Sequence, residues 1–472
     1  MRRHSVNEIA GIVGGVVTGE NIDVGPDVVI DSRQATPGAL FVARRGEHAD
    51  GHKFVDSAVA NGAVAAIVEH FVNAPLAQVL VADSGQALSQ LAHHIAVEAS
   101  ACGMTTLAIT GSSGKTSTKD LLAQILELAG PTVSPRNSFN SQTGLPLTLT
   151  TINTSTRYLV AEMGASHIGE IAKLCAIARP DIATVLNVGH AHIGEFGSRQ
   201  AIAQAKGEII EALEPSGWAV LNADDPLVAA MASRTKASLA WVSPSGQPPA
   251  DATCWVGAKD VRLDDLDRVS FRLVGAAAVG RFDLQVSLQT IGAHQIGNAC
   301  AAAGLALCAG LSPTVIAEGL NRAVARSAWR MQPVLLGDGS LLLNDAYNAN
   351  PDSMAVALAT LSRLMSSRPG SNSVAVIGDM LELGADGPAA HEEVGRQAGL
   401  AGITVVAVGD FAQYVVAGAR RANGEAHQLN RADVADWLES KSFDLVLVKG
   451  SRAIGLETVV QQLVEAKAEE PQ

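Results

Sequence analysis

The stretch Thr110-Gly-Ser-Ser-Gly-Lys-Thr116 constrains this chain more than any other. The apolar run Thr106 to Ile109 precedes it and reads as a buried strand. Leu121, Leu122, Ile125 and Leu128 follow at the spacing of an amphipathic helix. Strand, glycine-rich turn and helix start form the setting in which a loop grips phosphate. Gly111 and Gly114 let the backbone turn and aim several N–H groups at one anion. The helix N-terminus adds partial positive charge. In that geometry Thr110 to Gly114 and Ser117 surround a nucleotide's phosphates, Lys115 reaches the terminal ones, and Thr116 sets its hydroxyl on magnesium. Ile109 stands where the commonest pattern has its first glycine, and a Gly/Ser turn before a helix is otherwise often a mere connector.

The rest of the chain is consistent with a layered α/β protein. Its 472 residues suggest two to four domains. Apolar residues make up 47%, enough for a core in each, and aromatics only 4%, which suits α/β layers built from Ala, Val and Gly. A net charge of −13 argues against a broad nucleic-acid footprint. An anionic substrate would need local Lys and Arg to overcome that mean field. Cys102, Cys175, Cys254, Cys300 and Cys308 form no CxxC pair or zinc-type spacing, and read as small thiols in a reducing cytosol. Met1-Arg-Arg-His4 lacks a following apolar core and reads as no signal peptide. Ala299 to Leu311 is too short and too rich in Ala and Gly to span a bilayer. A cytoplasmic monomer, not inserted in a membrane, is the expectation.

Three segments differ in texture. Residues 1–103 mix short strands (Val28 to Ile30, Ala39 to Val42, Ala65 to Val68, Val79 to Val81) with helices, and a helix from Gly85 to Ala99 closes them. Residues 104–325 hold the phosphate loop and read as a parallel sheet with strands at Tyr158 to Glu162, Ile182 to Asn187 and Trp218 to Asn222. After the loop Ser243 to Ala252, strands such as Val269 to Leu273 and Phe282 to Leu288 suggest an antiparallel patch, and Ile296 to Ala309 a closely packed helix. Residues 326–472 read as a Rossmann-like, doubly wound unit with strands at Leu341 to Asn344, Val374 to Ile377, Thr404 to Val408 and Leu445 to Val448. Ser366 to Ser373 and Gly384 to Pro388 read as mobile loops.

Residues able to carry chemistry fall at the C-terminal ends of these strands, where open α/β sheets place their sites. Glu162 is positioned to hold the magnesium that Thr116 touches, or is a solvated strand-end carboxylate. His190-Ala-His192 follows the next strand, and His192 suits a metal or phosphate. Ser198 caps a predicted helix to about Leu213, whose apolar face is set by Ile202, Ile209 and Leu213. Lys206 falls on that face, where a bare ammonium costs several kcal/mol unless paired. It either snorkels to the face's edge or is converted to a carbamate, an anionic metal ligand. Ser32 and Arg33, and the tripeptide Asp50, Gly51, His52, sit after short strands and suit phosphate or a surface turn. The amide-rich run holding Asn137, Asn140, Gln142 and Thr143 can read a polar ligand or simply turn. Asn344 to Pro351, with Asp345, Asn348 and Asn350, links a strand to a helix. Lys449 and Arg452, after the last strand, suit an acidic substrate.

Together these motifs resemble the Mur ligases, ATP-dependent enzymes that build the peptidoglycan precursor. The resemblance runs through nearly the whole chain in the family's order, and a phosphate loop with Gly111 rather than an earlier glycine is the family's variant. Glu162-Met-Gly-Ala-Ser-His-Ile-Gly-Glu170 and Asn344 to Pro351 look like the members that add D-alanyl-D-alanine to UDP-N-acetylmuramoyl-tripeptide. The Asp-Asn-Pro-Arg motif usual in the diamino-acid-adding relative is absent. Folylpolyglutamate synthase shares the core but usually lacks such a first domain. The resemblance implies ATP and two magnesium ions, with Thr116, Glu162, His192 and a carbamylated Lys206 as ligands. It implies catalytic roles for Lys115, His192 and Lys206. Asn298, after Ile291-Gly-Ala-His294, resembles an adenine-side contact, and Arg330 and Asp345 resemble nucleotide contacts from the third segment. Ser32, Arg33, Asp50, Gly51 and His52 would meet the uridine nucleotide. Asn137, Asn140, Gln142, Thr143, Asn348, Asn350, Lys449 and Arg452 would meet the rest of the substrate. A different amino-acid ligase of the family, or an ATP-gated switch that ligates nothing, are the alternatives.

Overall fold

A computed structural model describes residues 1–46, 49–135, 138–278 and 280–468. The N-terminal part builds a five-stranded sheet, ordered Val16–Thr18, Ala77–Leu80, Ala63–Val68, Ala39–Val42, Val28–Val29. Its first pair is antiparallel and the others are parallel. Asp83 caps the long helix Ser84–Ala101 by accepting from the Gly85 and Gln86 N–H groups. Leu88, Leu91 and Ile95 of that helix are buried.

The central sheet has nine strands. Thr105–Thr110 lies between Ile182–Val185 and Tyr158–Glu162, parallel to both. These strands are short apolar runs buried on both faces, as a sheet covered by helices requires. Trp218–Asn222, Ser238–Ser243 and Trp255–Leu263 extend the sheet in parallel. Arg268–Ala277 and Gly280–Ile291 finish it as antiparallel ribbons. The parallel strand Ser238–Ser243 takes up the start of what the sequence suggests is a loop from Ser243. Leu128 is exposed just past the end of the phosphate-loop helix, Lys115–Glu127, and Leu126 takes its expected place in the core.

The C-terminal sheet has six strands, ordered Gln332–Leu335, Leu341–Asp345, Leu445–Lys449, Ser373–Gly378, Thr404–Val408, Ala426–Gln428. Only its Gln332–Leu335 edge is antiparallel. One continuous apolar cluster joins Ile9, Leu88 and Leu91 of the N-terminal part to Leu145, Leu149 and Leu174 of the central part. The C-terminal part has one cluster around Val448 and another around Leu343, and the latter also takes in Ile291 and packs against Ile193 and Leu266 of the central part. The segment from Gly384, read from sequence as mobile, forms a short 3-10 turn docked on Gly194, whose N–H donates to the Glu382 carbonyl at 3.2 Å.

Candidate active site

A cavity of about 740 Å³ opens where the C-terminal ends of the central strands face the C-terminal sheet. The phosphate loop forms its floor. Gly114 takes φ +82°, and a Cβ there would fall 2.4 Å from Asn298 Oδ1, so glycine is required for conformation and for space. Lys115 folds back to donate to the Gly111 carbonyl at 2.7 Å. Burial lowers its pKa, the Glu162 charge opposes that shift, and Arg330 adds to it.

Thr116 donates to Glu162 Oε2 at 2.8 Å, and its hydroxyl meets Ser138 Oγ at 2.8 Å. Asn140 Nδ2 donates to Glu162 Oε1 at 2.8 Å, and Arg330 Nη2 donates to Ser138 Oγ at 2.6 Å. A buried carboxylate beside hydroxyls and an amide is a set of hard oxygen donors, which fits magnesium. Sequence reasoning missed Ser138, although it stands inside the amide-rich run, and Asn137 lies outside the described residues.

His192 adopts φ +60° and lines the same cavity, with Nδ1 against the Glu382 carboxylate. Lys206 is buried on the helix Arg199–Glu211, capped by Ser198 as expected. Burial holds its pKa well below the usual lysine value, and the charge of Lys115 pushes it the same way. Lys206 is not among the residues that line the cavity.

Asn298 accepts from Thr118 at 3.3 Å and donates to Gln295 at 2.9 Å, which fixes it against the phosphate loop. His294 lines the cavity beside it with Nδ1 buried and without a hydrogen-bond partner. Burial pushes its pKa down to about 4, against the pull of Asp345. Arg330 stacks over the Tyr347 ring at 4.2 Å. Asp345 Oδ1 accepts from the Met331 N–H at 3.0 Å, and its Oδ2 pairs with Lys449 at 2.6 Å. Lys449 also donates to the Asn348 carbonyl at 2.8 Å. Asn350 lines the cavity, but its side-chain oxygen caps the helix Pro351–Ser366 through the Ser353 N–H.

Ser112, Ser113, Ser117, Gln142 and Thr143 line the cavity as well. Thr110 and Gly111 do not; Thr110 lies wholly buried beneath the loop. Arg452 is held elsewhere, paired with Glu457 and stacked over Trp329 at 4.2 Å. It stands in a 3-10 turn, Arg452–Ile454, ahead of the last helix.

Ser32, Arg33, Asp50, Gly51 and His52 do not line this cavity either. Arg33 is exposed, with its guanidinium on Asp31. Both His52 ring nitrogens are engaged, Nδ1 with Asp50 at 2.6 Å and Nε2 accepting from the Glu69 N–H at 2.8 Å. The Asp50 carboxylate also accepts from the His52 N–H at 3.0 Å. A Cβ on Gly51 would lie 2.7 Å from the Arg44 backbone. The Asp50-Gly-His52 turn is therefore tightly built, and Arg33 is the most exposed of these residues.

The Mur ligase middle domain matches residues 109–306, the Mur ligase glutamate ligase domain 329–452, and the Mur ligase family catalytic domain 27–98. The chain belongs to the Mur ligase family. This Mur ligase is 42% identical to the UDP-N-acetylmuramoyl-tripeptide–D-alanyl-D-alanine ligase of Mycobacterium tuberculosis, over 98% of the chain and 97% of the relative. Among solved structures it resembles MurF from Acinetobacter baumannii at 31% identity, covering 98% and 99% of the two chains with a TM-score of 0.85. It also resembles the MurF ligase of Thermotoga maritima in complex with ADP, at 27% identity, 94% and 98% coverage and a TM-score of 0.77.

Proposed function

We propose that this Mur ligase joins D-alanyl-D-alanine to UDP-N-acetylmuramoyl-tripeptide with ATP, making the pentapeptide precursor of peptidoglycan. The observation that carries this reading is end-to-end similarity to relatives of that name, from 42% identity in Mycobacterium tuberculosis to 34% in Escherichia coli. The cavity supports it by joining a phosphate loop, a hard-oxygen pocket and residues of the C-terminal sheet in one enclosure.

A carboxylate is a poor electrophile, so the reaction starts by activating it. A carboxylate oxygen of the tripeptide attacks the γ-phosphorus, the bond to ADP breaks, and an acyl phosphate forms. The dipeptide amine then attacks the acyl carbon, a tetrahedral oxyanion forms, and phosphate leaves as the amine loses its proton. Magnesium, when bound, would offset charge on the transferring phosphoryl oxygens. Thr116 and Glu162 would hold one ion, and His192 with a carbamylated Lys206 a second. Lys115 would leave the Gly111 carbonyl for the phosphate. Asn298, Arg330 and Asp345 would contact the nucleotide, and Asn140, Gln142, Thr143, Asn348, Asn350 and Lys449 the peptide end. Arg33, with Ser32 beside it, would face the uridine nucleotide. We read the enzyme as a cytoplasmic monomer; among the described residues no helix is long and apolar enough to cross a membrane.

The test is ADP release with UDP-N-acetylmuramoyl-tripeptide, with and without D-alanyl-D-alanine. Release that needs both supports the assignment. Release with a diamino acid and the dipeptide substrate, or with no acceptor, moves the function to another ligase or to a switch.

A further inference from the structure

The loop after the strand Ile182–Val185 carries two consecutive backbone N–H groups that point to different parts of the molecule. The Gly189 N–H donates to Ser112 Oγ of the phosphate loop at 2.9 Å. The His190 N–H donates to Asp352 Oδ2 at 2.7 Å, across to the first turn of the C-terminal helix Pro351–Ser366. The His190 ring meets the other oxygen of the same carboxylate at 3.0 Å. The loop is fastened at its base too. Ser112 N–H donates to the Asn187 carbonyl at 3.1 Å, and Ser113 N–H to Asn187 Oδ1 at 3.0 Å. Val188 N–H donates to Asp225 at 2.8 Å, and its carbonyl accepts from Arg199 at 2.6 Å.

Space is as tight as the bonding. A Cβ at Gly189 would fall 2.2 Å from Asp352 Oδ2, so the carboxylate reaches the loop only because residue 189 has no side chain. His192, which lines the cavity, follows two residues after His190.

We propose that Asp352 is a positioning residue for the ligase reaction: by seating on the Gly189–His190 peptide, it ties the docked C-terminal domain to the phosphate loop and sets the loop that carries His192. The proposal rests on the ligase reading. It assigns Asp352 no contact with the reacting atoms; it acts through the loop. A carboxylate accepting one backbone and one ring N–H can seat there in a single orientation, which a longer side chain cannot reproduce. Loss of an orienting partner of this kind typically lowers activity about 10- to 100-fold.

Two substitutions approach the contact from opposite sides. Asp352→Ala removes the acceptor, and Gly189→Ala expels it. Each is expected to lower kcat about 10- to 100-fold and to change KM for the UDP-linked peptide by less, because Ser32 and Arg33 at the proposed uridine end are untouched. Since both break one contact, the double variant should be no slower than the slower single variant. Asp352→Asn keeps an acceptor for the His190 N–H and should recover much of kcat. X-ray scattering with a non-hydrolysable ATP analogue reads domain docking without any ligation, and the two alanine variants should be less compact than the parent. If the parent compacts with the analogue yet ligates nothing, the functional reading fails and the docking result still stands. Parent-like kcat in Asp352→Ala, multiplicative losses in the double variant, or unchanged compaction would each overturn the positioning role.

Discussion

Lys449 and Asp345 form a buried ion pair in the wall of the cavity, and its disruption has a calculable cost. Their side chains are 3% and 14% exposed, and the charges meet at 2.6 Å. Replacing Lys449 by Met keeps most of the apolar stem but leaves Asp345 charged against one remaining backbone donor, the Met331 N–H. Removing one partner of a buried pair costs about 3–5 kcal/mol, and the slight exposure of Asp345 places this case near 3 kcal/mol. With a urea slope of about 2 kcal/mol/M, the unfolding midpoint of Lys449→Met should fall by about 1.5 M. Asp345→Asn added to Lys449→Met removes the stranded charge while keeping an acceptor for Met331, and should restore most of the loss. The assay is urea unfolding followed by circular dichroism, paired with KM for ATP. A midpoint shift below about 0.3 M, or a double variant as unstable as Lys449→Met, would refute the reasoning.

Three further outcomes are expected. Lys115→Ala should fold with parent-like circular dichroism and lose about a hundred- to a thousandfold in ADP release, as loss of a charge-stabilising group does; near-parent turnover would remove Lys115 from the chemistry. Lys206→Ala should lose activity and regain part of it with added formate or acetate, whereas full activity without them would remove the carbamate. His294 has a folded pKa of about 4 against an ordinary 6.5, so between those values the unfolded chain binds the extra proton. Stability should therefore fall as pH drops from 6.5 to about 4 and be fully present above 6.5, by up to about 3 kcal/mol. His294→Gln should flatten that part of the melting-temperature profile, and an unchanged slope would sink the account.

The phosphate loop and the strand-end carboxylate were legible in the sequence because they depend on local spacing. Thr116 and Glu162 meet because the strand that leads into the phosphate loop and the strand that ends at Glu162 are parallel neighbours in register, Glu162 opposite Ile109, and the helix carrying Thr116 starts just beyond that edge. Lys206 was legible for a similar reason, since a lysine on an apolar helical face must be buried or snorkel. The partners of Arg452, Glu457 and Trp329, were not legible because they are set by a 3-10 turn that composition does not announce. The role of His52 was not legible, because a turn histidine and a binding histidine look alike in sequence and only the structure shows Asp50 and the Glu69 N–H on its two nitrogens. Ser138 and Asp352 were invisible because their partners, Arg330 and His190, are 192 and 162 residues away in sequence.

The way the apolar clusters are divided has a mechanical consequence. Ile9, Leu88 and Leu91 share one core with Leu145, Leu149 and Leu174, so separating the N-terminal from the central sheet would expose that core to water. The C-terminal part meets the rest through a smaller apolar contact at Ile291, Ile193 and Leu266 and through polar clasps: Arg330 to Ser138, His190 to Asp352, and Arg363 to Asp267 at 2.7 Å. Polar clasps can exchange their partners for water at little net cost. By sheets the molecule has three parts, but by cores the first two are one stiff body, and the third is held to it by polar clasps around a small apolar seam at Ile291, Ile193 and Leu266.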